Sequence, residues 1–388
     1  MNYLVISPYY PQNFQQFTIE LANKGITVLG IGQEPYEQLD EPLRNSLTEY
    51  FRVDNMENLD EVKRAAAFLF YKHGPIDRIE SHNEYWLELD AALREQFNVF
   101  GAKPKDLKKT KFKSEMKKLF KKAGVPVVPG AVVKAEKDIY KAVKKIRLPL
   151  IAKPDNGVGA AATFKIETPE DVDRFKAEWD GHTEYFFEKF VLSSEICTFD
   201  GLVDRDGNIV FSTTFDYAYT PLDLMLYKMD NSYYVLKEMD PKLRQYGEAI
   251  VKAFGMKERF FHIEFFRDGD DYIAIEYNNR PAGGFTLDVY NYAHSIDLYR
   301  GYAALVAGEE FPASEFEPLY CLATSRRANV SYTLSEEEVL AKYQHQFRVK
   351  KIMPAAFAEL QGDYLYMLTT PSREELEQMI RDFGQRAE

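Results

Sequence analysis

The pattern of apolar and polar positions divides the first hundred residues into alternating strands and helices. Tyr3–Ile6 and Ile26–Ile31 are short apolar runs, and Phe14–Asn23 between them has helical spacing that stops at Lys24-Gly25. This β-α-β order predicts parallel strands. Leu59–His73 predicts a helix closed by Gly74-Pro75, Ile76–Glu80 a strand, Tyr85–Phe97 a helix, and Val99-Phe100 a short strand before Gly101. The turn at Pro8–Pro11 lacks a Gly-x-Gly-x-x-Gly fingerprint, so no dinucleotide site is assigned to it.

The pattern changes at Lys103. Ten lysines fall between Lys103 and Lys122, and Phe112, Met116, Leu119 and Phe120 keep helical spacing, which predicts one amphipathic helix with a basic face. Most of those lysines read as solvated; one near the helix start could reach a phosphate. A strand at Ala131–Val133 and a helix at Glu136–Lys145 lead to the apolar run Leu148–Ala152, which ends in Lys153. A lysine after such a run snorkels to solvent or meets an anion. The loop Asn156–Thr163, with Gly157 and Gly159, is built of small residues whose backbone N–H groups can close over phosphate. It lacks the Gly-Lys-Ser/Thr of a Walker loop. Thr168–Trp179 predicts a capped helix, Tyr185–Val191 and Ser194–Leu202 strands, Ile209–Phe215 a partner strand, and Asp240–Phe254 a helix stopped by Gly255. Leu287–Ala307 reads as helical. Tyr320–Thr324, Phe347–Met353, Phe357–Leu360 and Tyr364–Leu368 read as strands, and Ser372–Phe383 as a helix with a Ser372/Glu375 capping box.

The stretch from Phe260 to Gly284 carries the densest chemistry. Phe261–Phe266 reads as a strand with His262 and Glu264 on one face and Phe261, Ile263 and Phe265 on the other. An Asp-rich turn follows. Tyr272–Asn278 returns, with Tyr272, Ala274, Glu276 and Asn278 expected to share a face. A hairpin tip at Asp270 would set Glu264 opposite Glu276, about 5 Å apart at Cβ. Like charges so placed are destabilising unless a positive charge lies between them, and a hard divalent cation such as Mg²⁺ meets that need. Asn278 adds an amide oxygen, and Arg280 with Gly283 and Gly284 places a cation beside a loop that a ligand can approach closely. The competing reading is an edge hairpin with a merely solvated acidic face. The metal site is favoured because Glu276, Asn278 and Arg280 recur at alternate positions, face a second glutamate and end in Gly-Gly.

Composition narrows the function classes. The chain has 388 residues, enough for two to three domains, and 45% are hydrophobic. A net charge of −12 argues against a general nucleic-acid binder. Two distant cysteines form neither a disulfide framework nor a metal motif, which sets a reducing, cytoplasmic setting as the expectation. No run reaches membrane-spanning length, and the N-terminus has no signal-peptide pattern. No Ser-His-Asp or Cys-His nucleophile pattern is present.

In order and spacing, these motifs resemble the ATP-grasp superfamily over about residues 100–310, on its amino-acid (dipeptide) ligase branch. The resemblance implies an ATP-grasp fold of α/β and α+β parts, with a parallel α/β domain at 1–102, subdomains at 103–190 and 191–312, and an α+β subdomain at 313–388. It implies that Lys111 and Lys153 contact nucleotide phosphates beneath a lid at Asn156–Thr163 that includes Gly157 and Gly159. Glu188, Lys189 and Val191 would lie along adenine, and Glu195 would bind ribose. Glu264, Glu276 and Asn278 would hold Mg²⁺, or Mn²⁺, and Arg280 would steady the transferred phosphoryl group, with Lys153 and Arg280 as the catalytic cations. His262 stands where some relatives carry a basic residue. The implied activity is ATP-dependent joining of a small-molecule carboxylate to an amine through an acyl phosphate, with no nucleic acid or membrane partner and, by analogy, a homodimer. A biotin-carboxylase-like enzyme, a carboxylate–thiol ligase and a non-catalytic ATP sensor are the alternatives. Tyr290, Tyr292, His294, Arg326 and Arg327 lie near or after the same segment and could line an acceptor pocket; the competing reading takes the tyrosines as packing residues and the arginines as surface.

Overall fold

The computed structural model describes residues 1–156, 162–191, 195–219, 229–354, 358 and 361–387. The N-terminal unit contains β1 (Asn2–Ile6), α1 (Gln15–Asn23), β2 (Thr27–Gly32), α2 (Glu41–Ser46), β3 (Glu49–Arg52), α3 (Leu59–His73), β4 (Arg78–Glu80) and α4 (Leu87–Gln96). Its strands form a parallel sheet in the order β3-β2-β1-β4, as the β-α-β pattern implies. The Asn58 side chain caps α3 by accepting from the Glu61 N–H, and Gly74 ends it at φ +89°.

The expected single helix over the lysine-rich stretch is two. α5 (Pro104–Lys111) and α6 (Lys113–Lys122) are separated by Phe112 in extended geometry, φ −90° and ψ 116°, bridged to Asn156. A small antiparallel sheet follows, in the order β5-β8-β6-β7, built from β5 (Gly130–Val133), β6 (Leu150–Pro154), β7 (Phe164–Ile166) and β8 (Tyr185–Lys189). Helices α7 (Glu136–Ile146) and α8 (Pro169–Glu178) cover it around Phe175, Ile139 and Leu150.

The remaining strands share one large sheet. In chain order these are β9 (Ile196–Val203), β10 (Ile209–Thr213), β11 (Phe215–Tyr217), β12 (Ser232–Val235), β13 (Arg259–Asp268), β14 (Asp271–Asn278), β15 (Tyr320–Arg326), β16 (Phe347–Ile352) and β17 (Tyr364–Thr370). The order is β14-β13-β9-β11-β12-β15-β17-β16, with β10 also on β9. Pairing of β12 with β15 carries the sheet without a break from the central part of the chain into the C-terminal part. Helix α9 (Pro241–Phe254), capped by Asp240 and closed by Gly255 at φ +58°, packs on β9 and β14. Helices α10 (Thr286–His294) and α11 (Leu298–Val306) join the sheet to the N-terminal unit through Phe17, Tyr299 and Tyr302. Then come α12 (Glu336–Lys342) and α13 (Arg373–Gly384). At α13 the Ser372 side chain accepts from the Glu375 N–H, but the Glu375 carboxylate is taken by Gln346 and the Thr370 hydroxyl, so only one arm of the expected capping box forms. The strand expected at Phe357–Leu360 lies, apart from Ala358, outside the described residues.

Candidate active site

The β13–β14 hairpin sets two carboxylates side by side. Its turn is the two-residue Gly269-Asp270, since Asp268 pairs with Asp271. An uninterrupted ladder from that turn would oppose Glu264 to Ile275 and send Glu276 to the other face. A bulge at Ile275 shifts the register, so that Phe265 pairs with Ala274, Glu264 with Glu276 and His262 with Asn278. The bulge also corrects the expected face assignment. Tyr272 and Ala274 join Phe261, Ile263, Phe265 and Tyr277 in the core, while Glu276 and Asn278 share the opposite face with His262 and Glu264.

His262 is buried between two acids. Its Nδ1 lies 2.5 Å from Asp200 Oδ1 and its Nε2 3.4 Å from Glu264 Oε1. Tyr290 donates to Asp200 Oδ2 at 2.7 Å, and the Thr198 hydroxyl donates to the same oxygen. Burial alone would lower the imidazole pKa, but the two carboxylates outweigh it and raise it to about 9, so His262 is an imidazolium at neutral pH. Burial pushes Glu264 up, and the hydrogen bond and charge of His262 bring it below the ordinary carboxylate value. Glu276 stays above that value, chiefly through burial, with the Glu264 charge adding and Lys113 opposing.

Lysines from two elements surround this pair. Lys113, in the first turn of α6, places Nζ 3.8 Å from Glu276 Oε1. The same helix start is fixed by Asp155, which accepts from the Ser114 N–H at 2.8 Å and the Ser114 hydroxyl at 2.7 Å, while the Asp155 carbonyl accepts from the Lys113 N–H at 2.9 Å. Lys117, one turn on, donates to the Ala274 carbonyl at 2.9 Å and lies 3.4 Å from Glu188 Oε2. Lys153, near the end of β6, pairs with the other oxygen of Glu188. Burial would raise Glu188, but the two ammonium groups hold it at about 2. Three lysines and three glutamates therefore interleave across α6, β6, β8 and the hairpin.

The remaining expected residues take varied places. Lys111 pairs with Glu88 at 2.7 Å, so Lys113 and not Lys111 is the lysine set against the hairpin acids. Glu195 pairs at 3.2 Å with Arg267, which also holds Asp216, beside a different cavity that Arg373 and Tyr234 help to line. Arg280 meets Glu84 of the N-terminal unit, Nε to Oε2 2.7 Å, and donates to the Pro281 carbonyl at 2.9 Å. The Lys189 N–H is spent on the Pro129 carbonyl and its ammonium on the Leu148 carbonyl at 3.0 Å, with Val191 following. Gly157 and Gly159 lie outside the described residues. Arg326, expected at the surface, is buried and donates to the carbonyls of Phe383, Leu334 and Asp382. Tyr290 is a buried packing residue whose hydroxyl serves Asp200.

Sequence reasoning missed Lys113, Lys117, Asp155, Asp200 and Glu84. The Lys113/Lys117 spacing of i and i+4 was a legible signal for one shared helix face. Asp200 shows no such signal, because only strand pairing brings it to His262.

The donor set at the hairpin fits a hard divalent ion: two opposed carboxylates and the amide of buried Asn278, all oxygen donors. Among the described residues no group of three or more His, Cys, Asp or Glu is arranged for a metal, so the ion's other ligands would come from elsewhere, as substrate phosphates do. A cavity of about 490 Å³ opens beside Glu264, His262 and Arg280. No helix among the described residues is long and apolar enough to cross a membrane.

Residues 146–288 match the model of the ATP-grasp domain family. In sequence the chain is similar to an L-arginine-specific L-amino acid ligase from Bacillus subtilis, 26% identical over 267 residues that take in 64% of each chain. The match thus spans less than two thirds of that relative's length. In fold it is similar to an L-amino acid ligase from Bacillus licheniformis, with a TM-score of 0.72 at 15% identity over 98% of this chain and 96% of that one. It is also similar to phosphoribosylglycinamide synthetase from Anaerococcus prevotii, with a TM-score of 0.69 at 13% identity over 98% and 97% of the two chains.

Proposed function

We propose that this chain is an ATP-dependent carboxylate–amine ligase that activates a small carboxylic acid as an acyl phosphate, joins it to an amine and releases ADP and phosphate. The observation that carries the reading is the opposition of Glu264 and Glu276 on neighbouring strands, with Lys113 against them and Lys153 and Arg280 on the adjoining elements. The sequence relative and one fold neighbour are both L-amino acid ligases, which supports amino acids as substrates.

Each residue then has a task. Glu264, Glu276 and Asn278 would hold Mg²⁺, which when bound would neutralise phosphate charge and orient the nucleotide tail. Lys113 and Lys153 would bind phosphate oxygens, and Lys117, paired with Glu188, would keep that carboxylate ionised at the adenine end. Lys189 and Val191 border that end through backbone groups. Arg280 steadies the oxygens that gain charge during transfer. His262 keeps Glu264 ionised and adds a fixed positive charge beside the reacting groups. The lid role of Gly157 and Gly159 belongs to the same proposal. Glu195 could reach ribose only after leaving Arg267.

The test is phosphate release from ATP and Mg²⁺ in the presence of amino-acid mixtures. Release that requires two amino acids supports the ligase. Release that requires bicarbonate instead, or none in any mixture despite bound ATP, refutes it.

A further inference from the structure

We infer that the carboxylic acid activated here carries a bulky, uncharged apolar side chain, and that the cavity beside Glu264 and Arg280 is where that side chain sits. The inference rests on the ligase reading and adds the substrate class. The cavity, of about 490 Å³, has two chemically distinct ends. Glu264, His262 and Arg280 form the polar end. Phe14, Phe215, Tyr217, Tyr233, Met353 and Leu365 supply apolar walls, and the neutral amides of Asn83, Asn231 and Gln361 also line the cavity.

Those walls are preformed. Phe14, Phe215, Tyr233, Met353 and Leu365 belong to one buried core cluster, so they are held by packing before any ligand arrives. The Phe215 ring centroid lies 5.0 Å from those of Tyr217 and Tyr233, and the Tyr233 hydroxyl is already engaged with Thr286 at 3.2 Å. The segment that brings Phe14 is tied to the Gly283-Gly284 loop, since the Asn13 amide donates to the Gly284 carbonyl at 3.0 Å.

Charge makes the assignment selective. Among the described lining residues the acids are Glu84 and Glu264, and each already faces a cation, Arg280 and His262 respectively. The remaining histidine in the lining, His82, is stacked on Phe17 at 3.9 Å between ring centroids. A guanidinium or ammonium entering the apolar end would lose water with no counter-ion to replace it, and a carboxylate would fare likewise. A phenyl, indole or branched aliphatic group would exchange water for ring and methyl contacts. The volume lies in the ordinary range for small-molecule sites and exceeds one amino acid, so the acceptor amine can share the cavity.

The experiment uses the full chain with ATP, Mg²⁺ and glycine as acceptor, varying the acid among phenylalanine, leucine, methionine, arginine and aspartate. Phosphate release should show kcat/KM for the apolar acids at least about 100-fold above arginine and aspartate. Equal or better turnover of arginine or aspartate overturns the inference. So does silence with every acid in protein that binds MgATP by calorimetry, which leaves the nucleotide site standing. Failure to bind MgATP brings down the ligase reading and this inference together. Met353→Trp, which fills the apolar end, should raise KM for phenylalanine by about 10-fold or more with MgATP affinity unchanged. Met353→Ala, which enlarges that end, should shift preference from leucine toward tryptophan. An unchanged preference in both variants also overturns it.

Discussion

His262 makes the site's charge balance measurable. Its pKa rises from 6.5 to about 9 in the folded chain because Asp200 and Glu264 flank it. A raised folded pKa means that its stabilising contribution is complete below about pH 6.5 and is lost as the pH climbs through about 9. For a buried group this is of order 3 kcal/mol. The urea midpoint of the parent chain should therefore fall more steeply between pH 6.5 and 9 than that of His262→Gln; parallel curves would contradict the buried imidazolium. Glu276→Gln should keep the fold, as judged by circular dichroism, and reduce phosphate release to background, because it removes one of the two opposed carboxylates. Full activity in that variant would remove the metal assignment. At this scale the sequence was informative where periodicity alone decides a side chain's direction, as for Glu264 and His262. It was not informative where the backbone breaks its own period. Lys111 and Lys113 lie two residues apart in a lysine-rich run, and the choice between them is made by the extended Phe112 and by the Asp155 cap, both tertiary events.

Elements hold these residues in place by close packing. The opposition of Glu264 and Glu276 was anticipated from a turn centred on Asp270, half a residue beyond the real centre between Gly269 and Asp270, and the bulge at Ile275 makes up the difference. A bulge leaves little trace in a sequence, whereas alternation on either side of it does, which is why the carboxylate pair was legible and the faces of Tyr272 and Ala274 were not. The helix covering this hairpin makes a comparable demand at Gly247 of α9. A Cβ there would lie 2.2 Å from the Phe199 ring of β9. Phe199 is fully buried and stacks on Phe261 of β13 at 5.4 Å, so it cannot step aside without disturbing the strand that carries His262 and Glu264. Gly247→Ala should gain about 1 kcal/mol of helix propensity and still destabilise the protein by about 1–3 kcal/mol through overpacking. Chemical denaturation measures the net effect; a midpoint equal to or above that of the parent would show that α9 can lift off the sheet at little cost.

Across the whole molecule, the N-terminal sheet is bolted to the strand that carries the site. Glu80 of β4 is buried and binds both Arg259, the first residue of β13, at 2.8 and 2.9 Å, and Arg94 of α4 at 2.9 Å. Arg78 beside it is paired with Glu258, the residue before β13. Burial would raise the Glu80 carboxyl, but the two guanidinium groups hold it at about 2, so its contribution is present at neutral pH and is lost only as the pH falls toward that value. None of this shows in the local sequence, because the partners lie up to 180 positions apart. Replacing such an acid leaves buried cations without a counter-ion, which costs about 3–5 kcal/mol. Glu80→Ala should therefore lower stability by that amount. It should also uncouple the units, which the two tryptophans can report separately. Trp86 packs on the core of the N-terminal sheet and Trp179 on that of the small antiparallel sheet. With each tryptophan retained singly, the fluorescence midpoints should coincide in the parent and separate in Glu80→Ala, with Trp86 leading. A loss below about 1 kcal/mol, or midpoints that stay together, would mean that apolar contacts of Phe17, Tyr299 and Tyr302 join the units by themselves.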